Sequence, residues 1–305
     1  MKKKILILAG GFSKEREISL KTARGVFNQI KKKYNVKICE PNGNLINNLR
    51  SFKPNVVFNA LHGRYGEDGY IQSILETEKI KYTHSGALSS SIAIDKEISK
   101  KLFIQNNILT PKYFKFSFND FNKKTKLIKK IKSRLKFPVI IKPFNEGSSV
   151  EVYICNKKNL FKNLKKLSPY KEIMIEKYIP GREIQVAIMG KRKLGAIELV
   201  PKRKFYDYQA KYDIKAKTKH IIPVKINKNK IKEVLNIASK AHKIIACKGV
   251  TRSDFKFYNN KFYLLEINTQ PGMTSLSLVP EIAKFNNISF SNLIEWIIKD
   301  ASIQR

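Results

Sequence analysis

Residues 251–272, TRSDFKFYNNKFYLLEINTQPG, limit more than any other stretch how this chain can fold. Two runs of alternating apolar and polar residues flank an Asn-Asn pair, a pattern that predicts a β-hairpin followed by a tight Pro-Gly loop. The alternation predicts an apolar face made of Phe255, Phe257, Tyr263, Leu265 and Ile267. It predicts an opposite, polar face made of Arg252, Asp254, Glu266 and Asn268.

The length of the turn decides whether the polar side chains face one another. A three-residue turn of residues 259–261 would place Asp254 opposite Glu266, and Asn tolerates the left-handed conformation that such a turn needs. It would also place Arg252 opposite Asn268. A two-residue turn would shift the register by one residue and put the two carboxylates on opposite faces. The predicted polar face therefore depends on the three-residue turn.

Two carboxylates, a carboxamide and an arginine on one face suit a hard cation that carries phosphates. Mg²⁺ prefers oxygen ligands in octahedral geometry and commonly takes one or two carboxylates plus phosphate oxygens. The alternative is a solvated hairpin face with a cross-strand ion pair. The nearby Asn268 and the free backbone N–H groups expected in the Pro271-Gly272 loop favour the metal site.

Composition limits the class of protein. The chain has 305 residues, of which 42% are hydrophobic, and this predicts a folded protein of two or three domains. The net charge of +37 is spread over the whole length, so we interpret it as a composition bias that raises the potential around an anionic substrate and expect no nucleic-acid partner. Three widely separated cysteines predict a reducing cytoplasm, and no apolar stretch predicts a membrane span.

The first part of the chain predicts an α/β unit. Residues 4–9 predict a buried strand, which is followed by a glycine turn and a helix, but the GxGxxG pattern is missing and dinucleotide binding is not supported. Residues 55–61 predict a second strand. That strand ends in the loop HGRYGEDG, which is either an ordinary connection or a ligand-facing loop, because sites collect at strand ends in α/β folds.

The middle of the chain predicts a phosphate-binding region. Lys142 ends a predicted strand, and the loop at residues 146–149, EGSS, offers backbone and hydroxyl donors, although a plain hairpin is the alternative and the P-loop pattern is missing. Residues 173–179 predict a strand whose backbone could pair with an adenine edge, and Glu183 could take ribose hydroxyls. Residues 205–213, FYDYQAKYD, predict either a surface loop or a lid that excludes water.

Taken together, these motifs resemble those of the D-alanine–D-alanine ligases, which are ATP-grasp enzymes. The resemblance covers essentially the whole chain and is carried in order by GGFSKEREISL, HGRYGEDG, IDK, PVIIKPFNEGSSV, IEKYIPGRE, FYDYQAKYD, RSDF and LLEINTQPGMTSLSLVP. It implies an α/β (α+β) ATP-grasp fold. The implied domains are a Rossmann-like substrate domain at 1–95, a small central α+β subdomain at 96–180 and a C-terminal α+β catalytic subdomain at 181–305.

The resemblance also implies an activity: ligation of two D-alanine molecules through a D-alanyl phosphate, with ATP and two Mg²⁺ (or Mn²⁺) as cofactors, in a cytoplasmic protein that is commonly a homodimer. The implied ATP-binding residues are Lys96, Lys142, Glu176, Lys177, Ile179, Glu183, Lys211 and Leu265. The implied metal ligands are Asp254, Glu266 and Asn268, and the oxyanion donors are Arg252 and the backbone N–H of Gly272. The implied D-alanine contacts are Glu15 and His62 for the first molecule and Ser277 and Leu278 for the second. Glu15, Ser148 and Tyr212 match a hydrogen-bonded triad that ties the lid to the N-terminal domain.

Tyr212 bears on the product. Members of the family that form the dipeptide carry Tyr at this position, whereas Phe is associated with relatives that form the D-alanine–D-lactate ester, so we expect a dipeptide. Gln209 and Ser253 depart from the residues common in the family, and both neighbour predicted site residues. The alternatives are another ATP-grasp carboxylate–amine ligase and, on the charge alone, a nucleic-acid binder without ATP turnover.

Overall fold

The computed structural model describes residues 1–147, 151–201, 218–274 and 277–305. Their strands form three sheets of three, four and five strands. Within these ranges no helix is both long and apolar enough to cross a membrane.

The first sheet is parallel and has the strand order β2-β1-β3. Its elements are β1 (Lys4–Leu8), α1 (Arg16–Ile30), β2 (Asn35–Cys39), α2 (Leu45–Phe52), β3 (Val56–Asn59), α3 (Tyr70–Thr77) and α4 (Ala87–Ile94). The central strand, KILIL, is almost continuously apolar because helices cover both of its faces. Helix α1 turns Ala23, Val26 and Ile30 inward at helical spacing.

The second sheet is antiparallel and has the order β4-β7-β5-β6. Its region comprises α5 (Lys96–Gln105), β4 (Tyr113–Ser117), a 3-10 turn (Phe118–Asp120), α6 (Lys124–Arg134), β5 (Val139–Lys142), β6 (Tyr153–Cys155), α7 (Leu160–Lys166) and β7 (Glu172–Lys177). Helices α6 and α7 pack on the sheet through a core that includes Ile131, Leu164 and Ile173. Among the residues that the structure describes, no buried residue of that core comes from another sheet.

The third sheet is antiparallel and has the order β10-β9-β8-β11-β12. Its elements are β8 (Arg182–Met189), β9 (Arg192–Val200), β10 (Lys219–Ile221), α8 (Lys228–Ile244), β11 (Val250–Tyr258) and β12 (Lys261–Asn268), followed by α9 (Leu278–Phe285) and α10 (Phe290–Asp300). One core joins this sheet to α4, α5 and α8, through residues such as Phe103 and Val234. A second core joins it to α9, α10 and the first sheet, through residues such as Val26 and Ile297.

These shared cores bear on the predicted domains. Helix α5 falls in the predicted central subdomain, yet its Phe103 packs in the core of the third sheet. Helices α9 and α10 fall in the predicted C-terminal subdomain, yet α10 packs against α1 and both helices contribute to the core shared with the first sheet. The divisions at 95/96 and 180/181 stay a prediction.

The structure corrects the predicted turn of the hairpin formed by β11 and β12. Tyr258 pairs with Lys261, so the turn has two residues rather than three. Asn259 and Asn260 both adopt left-handed conformations, with φ of 46° and 58°, as a type I′ turn requires. The three-residue turn on which the polar face depended is therefore wrong.

A β-bulge in β12 nevertheless places Asp254 opposite Glu266, which is the pairing that the three-residue turn predicted. Phe255 pairs with Leu264, but Asp254 pairs with Glu266, so Leu265 is an extra residue in β12. The bulge returns both carboxylates to one face. It also corrects the predicted apolar face of β12, whose buried residues near the turn are Phe262 and Leu264 rather than Tyr263 and Leu265.

Candidate active site

Two cavities meet between the sheets. The wider one, of about 590 Å³, lies among the first sheet, the third sheet and the loop before α9. The narrower one, of about 80 Å³, lies between the second and third sheets. Lys96, Glu146 and Glu266 line both cavities, so a ligand in one can react with a ligand in the other.

The narrow cleft collects the predicted nucleotide-binding residues. Its lining includes Lys96, Lys142, Glu176, Lys177, Ile179, Glu183 and Leu265. Leu265 reaches the cleft because the bulge turns it out of the apolar face. Lys211 was also predicted to bind the nucleotide, and it lies outside the described residues.

Buried charges dominate the wall of this cleft. Lys142 Nζ lies 3.1 Å from Glu176 Oε1, and Lys100 Nζ lies 2.7 Å from Glu176 Oε2. Burial by itself raises the pKa of the Glu176 carboxyl, but the two lysines outweigh it and lower that pKa below its ordinary value. On the other wall of the cleft, in the third sheet, Glu183 is paired with Lys256 at 2.9 Å.

The polar face of the hairpin forms the floor where the cavities meet. Asp254 is buried and accepts two hydrogen bonds from the Arg252 guanidinium, at 2.8 and 3.1 Å. Glu266 lies 3.5 Å from Lys96 Nζ, and the Asn268 Oδ1 accepts a bond from the Gln270 backbone N–H at 2.7 Å. The three predicted metal ligands therefore share one face.

The donor set has the chemistry of a magnesium site. In the described part of the chain no three or more His, Cys, Asp or Glu side chains group as metal ligands. Asp254 and Glu266 with the Asn268 amide are two carboxylates and one neutral oxygen, which suits Mg²⁺ that also takes phosphate oxygens. Lys96 lies 3.5 Å from Glu266, and Arg252 lies 2.8 Å from Asp254.

The wide cavity collects the residues predicted to hold the first amino acid. His62 is buried, with Nε2 3.1 Å from Thr22 Oγ1 and Nδ1 3.3 Å from Glu67 Oε1. Burial raises the pKa of the Glu67 carboxyl, while hydrogen bonding to His62 opposes the rise. Glu15 lies beside two glycines: a Cβ added at Gly63 would be 2.7 Å from Glu15 Oε2, and one added at Gly147 would be 3.2 Å from the same atom.

Gly147 immediately precedes Ser148, which lies outside the described residues, as does Tyr212. The structure thus brings Gly147 to Glu15, whereas the triad itself stays a prediction.

The residues predicted for the second amino acid begin α9. Ser277 is its N-cap residue, Leu278 is its first residue, and both line the wide cavity. Ser277 Oγ lies 2.8 Å from Thr274 Oγ1. A Cβ added at Gly272 would be 3.1 Å from Ser277 Oγ and 3.7 Å from His62 Cε1, so Gly272 lies between the two predicted amino-acid positions.

Sequence reasoning missed two charged residues of this region, the buried Lys100 and the partly buried Glu67. Lys100 follows Lys96 by four residues on α5, a spacing that places both on one helix face and could have revealed it. Glu67 lies in HGRYGEDG, where only the loop and His62 were singled out.

The two antiparallel sheets that enclose a lysine-lined cleft, together with the parallel N-terminal sheet, define an ATP-grasp protein of the α+β type, and the predicted fold class is confirmed. A family model described as D-ala D-ala ligase C-terminus matches residues 102–299. The chain is 67% identical over 306 residues to the D-alanine–D-alanine ligase of Pelagibacter ubique (strain HTCC1062), covering 100% of both chains.

Solved structures of D-alanine–D-alanine ligases also superpose on this chain. The D-alanine–D-alanine ligase of Bacillus anthracis superposes with a TM-score of 0.85 at 32% identity, covering 98% of this chain and 97% of that one. A structure of the Bacillus anthracis ligase complexed with ATP superposes with a TM-score of 0.81 at 28% identity, over the same shares of the two chains. The chain belongs to the D-alanine–D-alanine ligase family.

Proposed function

We propose that the protein joins two D-alanine molecules into D-alanyl-D-alanine for peptidoglycan synthesis, with conversion of ATP into ADP and phosphate. The observation that carries this proposal is the meeting of the two cavities at Lys96, Glu146 and Glu266. A nucleotide in the narrow cleft would direct its terminal phosphate to this junction, where a carboxylate in the wide cavity can reach it.

In the first step a carboxylate oxygen of one D-alanine attacks the γ-phosphorus, and ADP leaves. Two anions must approach each other, so positive charge at the junction has to offset their repulsion. Lys96 and Lys142 supply that charge from the chain itself. Asp254, Glu266 and Asn268 would hold two Mg²⁺ (or Mn²⁺) ions, which when bound neutralise and orient the phosphates.

In the second step the amine of the other D-alanine attacks the acyl carbon, and phosphate leaves. The tetrahedral adduct carries an oxyanion, which the Arg252 guanidinium and the Gly272 backbone N–H would stabilise. Each fixed donor in a dry site lowers the barrier by about 3 kcal/mol.

The amino-acid positions follow from the walls of the wide cavity. Glu15 and His62 would hold the first D-alanine, with the carboxylate of Glu15 facing its ammonium. Ser277 and the start of α9 at Leu278 would hold the carboxylate of the second, because the N-terminus of a helix favours an anion. Ser148, Lys211 and Tyr212 would close the site against water, which otherwise hydrolyses an acyl phosphate.

The test is phosphate release from ATP with D-alanine or L-alanine, in the wild-type protein and in Glu266→Gln. We expect release only with D-alanine, with one ADP formed per dipeptide. Glu266→Gln removes a charge at the junction, so kcat should fall about 100-fold or more. Glu233→Gln on α8, whose side chain is 42% exposed and pairs with Lys230, is the matched control and should leave kcat unchanged. A wild-type protein that does not turn over ATP with D-alanine contradicts the proposal.

We also propose that the protein is a homodimer in the cytoplasm, as the family resemblance implies. Exposed aromatic side chains around the HGRYGEDG loop are the expected contacts: Phe12 is 76% exposed and Tyr70 is 58% exposed, and Tyr65 lies between them with edge-on ring contacts. Burial of such a patch would stabilise a dimer. Sedimentation velocity on the wild-type protein and on Tyr70→Ser tests this, and a wild-type monomer at micromolar concentration would contradict it.

A further inference from the structure

Lys100 is a fully buried lysine next to the nucleotide cleft. It lies on α5 one turn after Lys96, and its side chain is 0% exposed. Its Nζ lies 2.7 Å from Glu176 Oε2 and donates to Thr110 Oγ1 at 2.5 Å, and it lies 5.7 Å from the centre of the Tyr113 ring. The ammonium is buried against these residues, and Glu176 lies between it and Lys142.

Glu176 is thus shared by two lysines, one on each carboxylate oxygen. Lys142 lines the cleft and pairs with Oε1, whereas Lys100 pairs with Oε2 from behind. The three groups carry a net charge of +1. Without Lys100, Lys142 and Glu176 would form a neutral pair, and an anion in the cleft would meet almost no net charge from that pair.

Building on the proposed ATP-dependent activity, we propose that Lys100 is a positioning residue for the nucleotide. It neutralises the Glu176 carboxylate and fixes its orientation, and this leaves the positive charge of Lys142 to the phosphates of ATP.

The protonation of the cluster agrees with this role. Burial lowers the pKa of the Lys100 ammonium to about 8, although Glu176 opposes the shift. At pH 7 Lys100 is therefore mostly charged. The pKa of Glu176 is lowered from its ordinary value, so its carboxylate is charged as well.

The test compares the binding of ATP and of adenosine to the full chain by isothermal titration calorimetry. In Lys100→Met, Glu176 has only Lys142 as partner, so the affinity for ATP should fall about tenfold or more, since charges a few ångströms apart interact strongly in a partly buried site. Adenosine has no phosphate, so its affinity should stay within about twofold. Lys101→Met is the matched control on the same helix: its side chain is 62% exposed and pairs with Glu97, and neither affinity should change.

Lys100→Arg keeps a positive charge against the Glu176 carboxylate and should bind ATP within about threefold of the wild-type protein. Lys100→Gln removes the charge but keeps a hydrogen-bond donor beside Thr110, and it carries the test if Lys100→Met does not fold. The proposal is overturned if the folded variant without the charge binds ATP like the wild-type protein, if ATP and adenosine lose affinity equally, or if Lys100→Arg shows the same tenfold loss. A wild-type protein that does not bind ATP contradicts the proposed function instead.

Discussion

Gly63→Ala tests whether the backbone beside Glu15 has to be glycine for the first D-alanine to bind. Gly63 has φ of +68°, a left-handed conformation that costs an alanine about 1 kcal/mol. The new Cβ would lie 2.7 Å from Glu15 Oε2, closer than van der Waals contact allows, so the carboxylate has to move. The backbone strain should appear in the free energy of unfolding, whereas the displacement of the Glu15 carboxylate should appear in the binding of D-alanine.

A displaced Glu15 carboxylate should weaken the bond to the ammonium of the first D-alanine. A hydrogen bond between charged groups contributes about 1.5–3 kcal/mol, and losing about 1.4 kcal/mol of that reduces affinity about tenfold. We therefore expect the KM for D-alanine at the first site to rise about tenfold, the KM for ATP to stay unchanged, and the free energy of unfolding to fall by about 1 kcal/mol.

The assay is steady-state phosphate release with D-alanine and ATP varied separately, together with urea unfolding. Gly43→Ala is the control, because a Cβ there meets nothing within 4 Å. An unchanged KM for D-alanine in Gly63→Ala would refute the reasoning, and an equal rise in both KM values would show that the substitution disturbs the whole site rather than Glu15.

Two further predictions concern the product and the cysteines. When D-alanine and D-lactate compete at neutral pH, we expect the dipeptide, as Tyr212 indicates; chromatography of the products decides, and preferential ester formation would contradict it. Cys39, Cys155 and Cys247 are all buried, and burial raises the pKa of each thiol, that of Cys247 to about 12. Because the thiolate is the reactive form, the native protein at pH 8 should react slowly with a disulfide reagent and the unfolded protein should react at three sites; three fast reactions in the native state would show that the thiols are accessible.

The hairpin shows how far sequence patterns reach. Alternation of apolar and polar residues predicted two paired strands and a face that carries Asp254 and Glu266, and the structure has both. The predicted three-residue turn was wrong. The two-residue turn shifts the register by one residue, and the bulge at Leu265 shifts it back by one, so the two shifts cancel. A bulge leaves no local signature when an apolar residue occupies it, so only packing on both faces of the strand fixes its position.

Sequence patterns also failed to identify two charged residues of the site. Lys100 and Glu67 look like ordinary surface residues in the sequence, since Lys and Glu are seldom fully buried. Lys100 is buried against a partner that is distant in the chain, Glu176, 76 positions later, whereas the partly buried Glu67 meets His62 only because their loop folds back. The resemblance to the ligase family supplied most of the other site residues. Ser148, Lys211 and Tyr212 lie outside the described residues and stay predictions.

The distribution of cores has a mechanical consequence. The walls that would hold the two amino acids belong to one continuous apolar body, in which α1 is packed against α10 and shares a core with α9. The sheet that carries Lys142 and Glu176 has a separate core. A hinge between these bodies would widen the gap across the nucleotide while the spacing between the two amino acids stayed constant, so the protein can admit and release ATP without dismantling the alignment of the groups that it joins.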